Sequence, residues 1–174
     1  MNIVPPYVNN GDFGLVHMGG DGGKWIRLAQ FANGDGFADF EHAFVYVGDN
    51  QIIEAEPTGA AKHPYHYNEA NVLWSSKYIK LTQMDRMGIN YAAHNYIGTP
   101  YSADDYVALA AYRLHLKWAP GLKTFVGNSK SMICSQLVDQ CYQDAGVTLF
   151  DDKRWPGYVT PGSLYQLLKS KGAK

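Results

Sequence analysis

Apolar positions in the first part of the chain fall in short runs of β-branched and aromatic residues, separated by clusters of glycine, asparagine and aspartate. Leu15-Val16-His17-Met18 predicts a first strand. His42-Ala43-Phe44-Val45-Tyr46-Val47 is the strongest of the series, and Gln51-Ile52-Ile53-Glu54-Ala55-Glu56 reads as its hairpin partner, stopped by Pro57. Gly48-Asp49-Asn50 is expected to form a three-residue turn that pairs Val47 with Gln51, Phe44 with Glu54 and His42 with Glu56. Val72-Leu73-Trp74 and Tyr78-Ile79-Lys80-Leu81 are further strand candidates. Between two glycine-rich loops, Trp25 to Phe31 carries apolar residues at helical spacing and predicts a short helix.

From residue 82 onward the period becomes helical. Thr82 followed by Asp85 fits a capping box, and a periodic segment runs to about Ile97, where Gly98-Thr99-Pro100 breaks it. A second helix is expected from Asp104 to about Leu116. Leu137, Val138, Cys141 and Ala145 share one face of a helix beginning at Cys134, with Gly146 placed to end it. Thr160-Pro161 caps and opens a last helix through Leu168. Strands first and helices afterwards predict an α+β domain, an antiparallel sheet with helices packed on one side.

Composition narrows the function. A length of 174 residues sets the expectation of one domain over 1–174, with enough apolar content for a core without staples. A formal net charge of −1 removes the simplest electrostatic case for a nucleic-acid partner. The start, Met1 to Pro6, lacks the basic and apolar runs of a secretory signal, and no run of about 18 apolar residues occurs. A cytoplasmic chain without a membrane anchor is therefore expected. Two cysteines are too few for a disulfide framework. On one helix they would stand about 10.5 Å apart along the axis, too far to bond to each other.

The two thiols differ in kind. Cys134 lies at a helix N-terminus, where free amides and the helix dipole favour a thiolate, whereas Cys141 belongs to the apolar stripe. A cysteine nucleophile needs a base, and the base needs a partner that orients it. His42, Glu54 and Glu56 share a face of the predicted hairpin, and the alternative for that face is a solvated edge. His63-Pro64-Tyr65-His66 brings two histidines close. No carboxylate or cysteine accompanies them at metal-ligand spacing and Pro64 opposes a helix, so a surface loop is expected there. The glycines at 19–23 lack the Lys-Ser/Thr ending of a phosphate loop.

Several of these pieces, taken in order, resemble one family. His42 to Gly48 followed by Ile52-Ile53-Glu54-Ala55 is similar to the histidine hairpin of NlpC-type peptidases, and Gly98-Thr99-Pro100-Tyr101 resembles their Gly-x-Pro-Tyr element. Cys134-Ser135-Gln136-Leu137-Val138 resembles their nucleophile helix, and Gly11-Asp12-Phe13-Gly14-Leu15-Val16 resembles a Gly-Asp-Leu-Val start with Phe13-Gly14 inserted. The order His, Glu, Cys is similar to the circularly permuted papain-like branch, the YiiX-like amidases and the lecithin–retinol acyltransferase group. The resemblance implies a permuted papain-like domain, Cys134 as nucleophile, His42 as base, Glu54 as its orienter with Glu56 as fallback, and Tyr101 near the thiol as a substrate or oxyanion contact. It implies an amide or peptide substrate, peptidoglycan fragments among them, and no metal or organic cofactor. A lipid-ester acyltransferase or hydrolase, or a non-catalytic binding module of the same fold, are its rivals.

Overall fold

The computed structural model describes residues 2–18, 39–56, 58–100, 133–151 and 159–173. Five strands form one antiparallel sheet: β1 (Phe13–Val16), β2 (His42–Gly48), β3 (Gln51–Glu56), β4 (Gly59–Pro64) and β5 (Val72–Trp74), in the order β4-β3-β2-β1-β5. Three helices are described, α1 (Gln83–Asn95), α2 (Cys134–Asp144) and α3 (Pro161–Ser170). The architecture is α+β. Among the described residues no helix is long and apolar enough to cross a membrane.

Alternation along the strands assigns the two sheet faces. Phe13, Leu15, Ala43, Val45 and Ile53 join one core with Ile89 and Ala93 of α1, Leu137, Val138 and Cys141 of α2, and Leu164 and Leu168 of α3. The helices therefore share one face. On the other, Phe44, Ile52, Tyr65 and Trp74 pack with Val4 and Val8 of the N-terminal segment. The Phe44 ring lies where a side chain at position 14 would project, so only glycine fits there. Phe13 and Gly14, which look inserted in the opening motif, are thus integral to β1: one fills the helix-side core and the other admits an aromatic ring.

Sequence signals at the helix ends are read out directly. Thr82 Oγ1 accepts from the Asp85 amide, and Asp85 Oδ2 accepts from the Thr82 amide, completing the box at the start of α1. Thr160 caps α3 through the Ser163 amide, and Gly146 follows α2 with φ +78°. Ser135 Oγ donates to the Val159 carbonyl at 2.8 Å, tying the start of α2 to the residue that precedes the α3 cap.

Several expectations are corrected. The hairpin turn has two central residues, Asp49 and Asn50, both at positive φ, which matches the right-handed twist of the strands. Gly48 pairs with Gln51, and a register shift between Tyr46 and Gly48 absorbs the extra residue. Phe44 still faces Glu54, as expected; the β2–β3 ladder ends there, and His42 has no partner in Glu56. Residues 59–64 form an edge strand that was not anticipated. Tyr78–Leu81 is not a strand, because a 3₁₀ turn at Ser75–Lys77 carries the chain away from the sheet edge. The first strand begins at Phe13 rather than Leu15. The helices expected at 25–31 and 104–116 lie outside the described residues.

Candidate active site

Cys134 is the first residue of α2, and its cap residue Ile133 offers no side-chain acceptor to the N-terminal amides. Gln136 reaches back instead, its Oε1 accepting from the Ile133 amide at 3.3 Å. The first-turn amides of α2 therefore remain directed at the thiol end, where they and the helix dipole favour negative charge. Because α2 packs against β2, this end meets the start of that strand, where His42 stands.

His42 is bound from two sides. Its Nε2 lies 2.7 Å from Glu54 Oε2, which leaves Nδ1 as the nitrogen that hydrogen-bonds the Cys134 thiol. Glu54 is fully buried, and its Oε2 also accepts from the Tyr67 hydroxyl at 2.5 Å. Tyr67 stacks parallel on Phe44 with ring centroids 5.2 Å apart, and its ring centroid is 6.0 Å from that of His42. Imidazole, carboxylate and phenol thus form one connected row on the face away from the helices.

Electrostatics in this row are dominated by mutual charge. Burial alone would strip His42 of its proton, but the neighbouring thiolate and carboxylate more than reverse that and push it up to about 10. Burial likewise opposes ionisation of Cys134, yet the His42 charge and hydrogen bond, together with the Ala43 and Ser135 amides, hold the thiol below its ordinary value of 9.0. Glu54 follows the same pattern: burial raises it, while His42, Tyr67 and His66 bring it below the usual carboxylate value. Burial and the Glu54 charge keep the Tyr67 hydroxyl protonated, so it serves as a donor. Burial drives Cys141 the other way, upward.

Cys134 falls as His42 rises, so the thiolate–imidazolium pair occupies the interval between them. It disappears at low pH when Cys134 takes a proton and near pH 10 when His42 releases one. Iodoacetamide followed by peptide mapping should label Cys134 at a lower pH than an ordinary thiol and leave Cys141 untouched there. Labelling of both thiols only above about pH 8.5 would remove the ion pair from consideration.

The structure brings three of the expected site residues together and separates the fourth choice. Cys134, His42 and Glu54 are in contact, whereas Glu56 turns outward to His63, with Oε2 3.2 Å from Nε2. Tyr101 lies outside the described residues. The Gly98-Thr99-Pro100 stretch before it is pinned to β4, the Gly98 amide donating to the Ala60 carbonyl and the Ala60 amide to the Thr99 carbonyl. A cavity of about 180 Å³ lined by Val16, His17, Met18, Tyr67, Asn68 and Asn71 flanks the row; Val16 is the strand partner of His42.

Tyr67 and His66 were not anticipated at this site. Nothing in their spacing marks them, because they follow β4 and are delivered by the path of the chain back across the aromatic layer. No family model matches the chain, and neither does any curated protein.

Proposed function

We propose that this protein is a cysteine hydrolase of the permuted papain-like kind, cleaving an amide bond through a thioester acyl-enzyme. The observation that carries the reading is the buried His42 ring, held between Cys134 at a helix N-terminus and the Glu54 carboxylate. In this scheme the Cys134 thiolate attacks the carbonyl carbon, and the negative charge that develops on oxygen is met by the positive end of α2. The imidazolium then gives its proton to the nitrogen as the carbon–nitrogen bond breaks. Water, relieved of a proton by the now neutral His42, attacks the thioester, releasing the acid and returning the thiol. Glu54 keeps the ring aligned, and Tyr67 keeps Glu54 aligned.

The likeness of the hairpin, Gly-Thr-Pro-Tyr and Cys-Ser elements to NlpC-type peptidases makes peptide amides, peptidoglycan stem peptides first, the preferred substrate class. Stem-peptide fragments and lipid esters should be offered side by side, with acid quenching and intact-mass measurement. The expected result is cleavage of an amide and an acyl adduct that maps to Cys134. An adduct from lipid esters alone would reassign the chain to ester chemistry, and no adduct from either set would leave a binding module.

A further inference from the structure

The sequence sets His63 and His66 apart from any carboxylate, but the fold does not. Antiparallel pairing of β3 with β4 places Glu54 and Glu56 on the same sheet face as His63, and the turn after β4 returns His66 beside Glu54. His63 Nε2 is 3.2 Å from Glu56 Oε2, and His66 Nε2 is 3.8 Å from Glu54 Oε1. One donor atom from each of Glu54, Glu56 and His63 lies within 4.8 Å of the others. We propose that Glu54, Glu56 and His63 bind a single divalent transition cation of the zinc class, on the side of Glu54 opposite its bond to His42, with His66 moving in from beside Glu54 as the fourth ligand.

Two atoms point to a ligand independently of the spacing. Glu54 Oε1 is buried on a fully buried residue and has no hydrogen-bond partner among the described residues, although Oε2 of the same carboxylate has two. His63 Nε2 is buried as well and makes no hydrogen bond among the described residues, its approach to Glu56 having the wrong direction for one. Buried polar atoms left bare cost free energy that a bound cation would recover.

The donor set fixes the class of ion. Tetrahedral zinc with bonds of about 2.1 Å holds neighbouring donors roughly 3.4 Å apart, close to the 3.2 Å between Glu56 and His63 and within the 4.8 Å span of the Glu54, Glu56 and His63 donors. Two imidazoles and two carboxylates suit zinc or cobalt; calcium and magnesium prefer shells built of oxygen. The orientation of His66 is already set: Nδ1 lies 3.2 Å from the Pro64 carbonyl, which commits it as a donor and leaves the Nε2 lone pair for a metal. Carboxylates ligate as anions and imidazoles as neutral donors, so a divalent cation balances this donor set.

Because a thiolate beside an imidazole also attracts zinc, the test is run in full-length Cys134→Ala protein, stripped with chelator. Calorimetric titration with Zn2+ is expected to show one saturable equivalent. His63→Ala and His66→Ala, each added to that background, should weaken it by roughly 10- to 100-fold or more, with thermal melts confirming that both variants fold. Their side chains are 34% and 51% exposed, so neither truncation opens the core. Absence of saturable binding in Cys134→Ala protein, or affinity indifferent to both histidines, would overturn the site. Either result leaves the hydrolase reading untouched, since that reading stands on thiol acylation.

Discussion

Replacing Cys134 by alanine is expected to lower turnover by a factor on the order of 10⁴ to 10⁶ while the protein stays folded, the range seen when single members of a catalytic group that acts as a unit are removed. Loss of one buried sulfur should cost only about 1 to 2 kcal/mol, because alanine keeps the helix start and the cavity is small. Cys141→Ala is the matched control. Cys141 is also fully buried, but it sits among Leu137, Val138 and Tyr142 with its thiol pushed upward by burial, so its removal should lower the melting temperature by a similar amount and leave turnover alone. Steady-state assays and thermal melts on both variants check the pair of outcomes. Equal losses of activity would mean that neither thiol is the nucleophile. His42 gives a second readout: without the thiolate it loses the first of the influences that raise it, so its imidazole proton should titrate at lower pH in Cys134→Ala protein, followed by NMR.

The parts of the site that were legible in the sequence are those written in a local code. His42 and Glu54 were placed together because an alternating β-rich run, a turn built from Asp49 and Asn50, and an even separation leave little freedom in how the hairpin closes. Even the wrong turn length was harmless, since the register shift at Tyr46/Gly48 compensates for it and restores Phe44 to Glu54. Cys134 at the head of α2 was legible from the apolar period behind it and the glycine that ends it. The edge strand β4 was not. Gly59, Lys62, His63 and Pro64 have poor strand propensity, and pairing with β3 overrides it: Ala60 and Ala61 are small, and Pro64 stands at the strand end, where its missing amide is tolerated. Missing β4 meant missing that His63 belongs with Glu54 and Glu56, and that Tyr67 reaches Glu54. Tyr78–Leu81 failed in the opposite sense. Its residues favour a strand, but β5 is the edge of the sheet and the Tyr78 and Ile79 amides are taken by the Ser75 carbonyl. Local propensity decided elements whose partners adjoin them in sequence, and tertiary pairing decided the others.

Glu54→Gln separates charge from shape in the same row, and its effect should be smaller, roughly 10²- to 10³-fold in kcat/KM, because the thiol keeps its base. In a serine triad the corresponding amide substitution costs about 10⁴ by enforcing the wrong tautomer. Here the glutamine oxygen can occupy the Oε2 position and still accept from His42 Nε2 and the Tyr67 hydroxyl, so the ring stays in place and chiefly the charge is lost. The direction of the pH effect follows. Without the carboxylate His42 holds its proton less tightly and falls from about 10, while Cys134, facing an imidazolium that is less well supported, rises toward its ordinary value. The acid limb of the pH–rate profile should therefore move up and the alkaline limb down, narrowing the bell from both sides. Stability shifts with the same sign logic: Glu54 is held below its ordinary value in the folded protein, so its charge stabilises the fold above that value and ceases to do so as pH falls through its folded pKa. The melting temperature of the wild type should accordingly drop below that of Glu54→Gln only in acid. Profiles of kcat/KM from pH 4 to 11 and melts over the same range test both halves. An unchanged bell with a lower ceiling would show that Glu54 contributes alignment alone. A Tyr67→Phe profile then reports the next link: loss of its donor at Oε2 weakens the hold on the carboxylate without removing its charge, which predicts a lower rate at the centre of the bell and little change in its width.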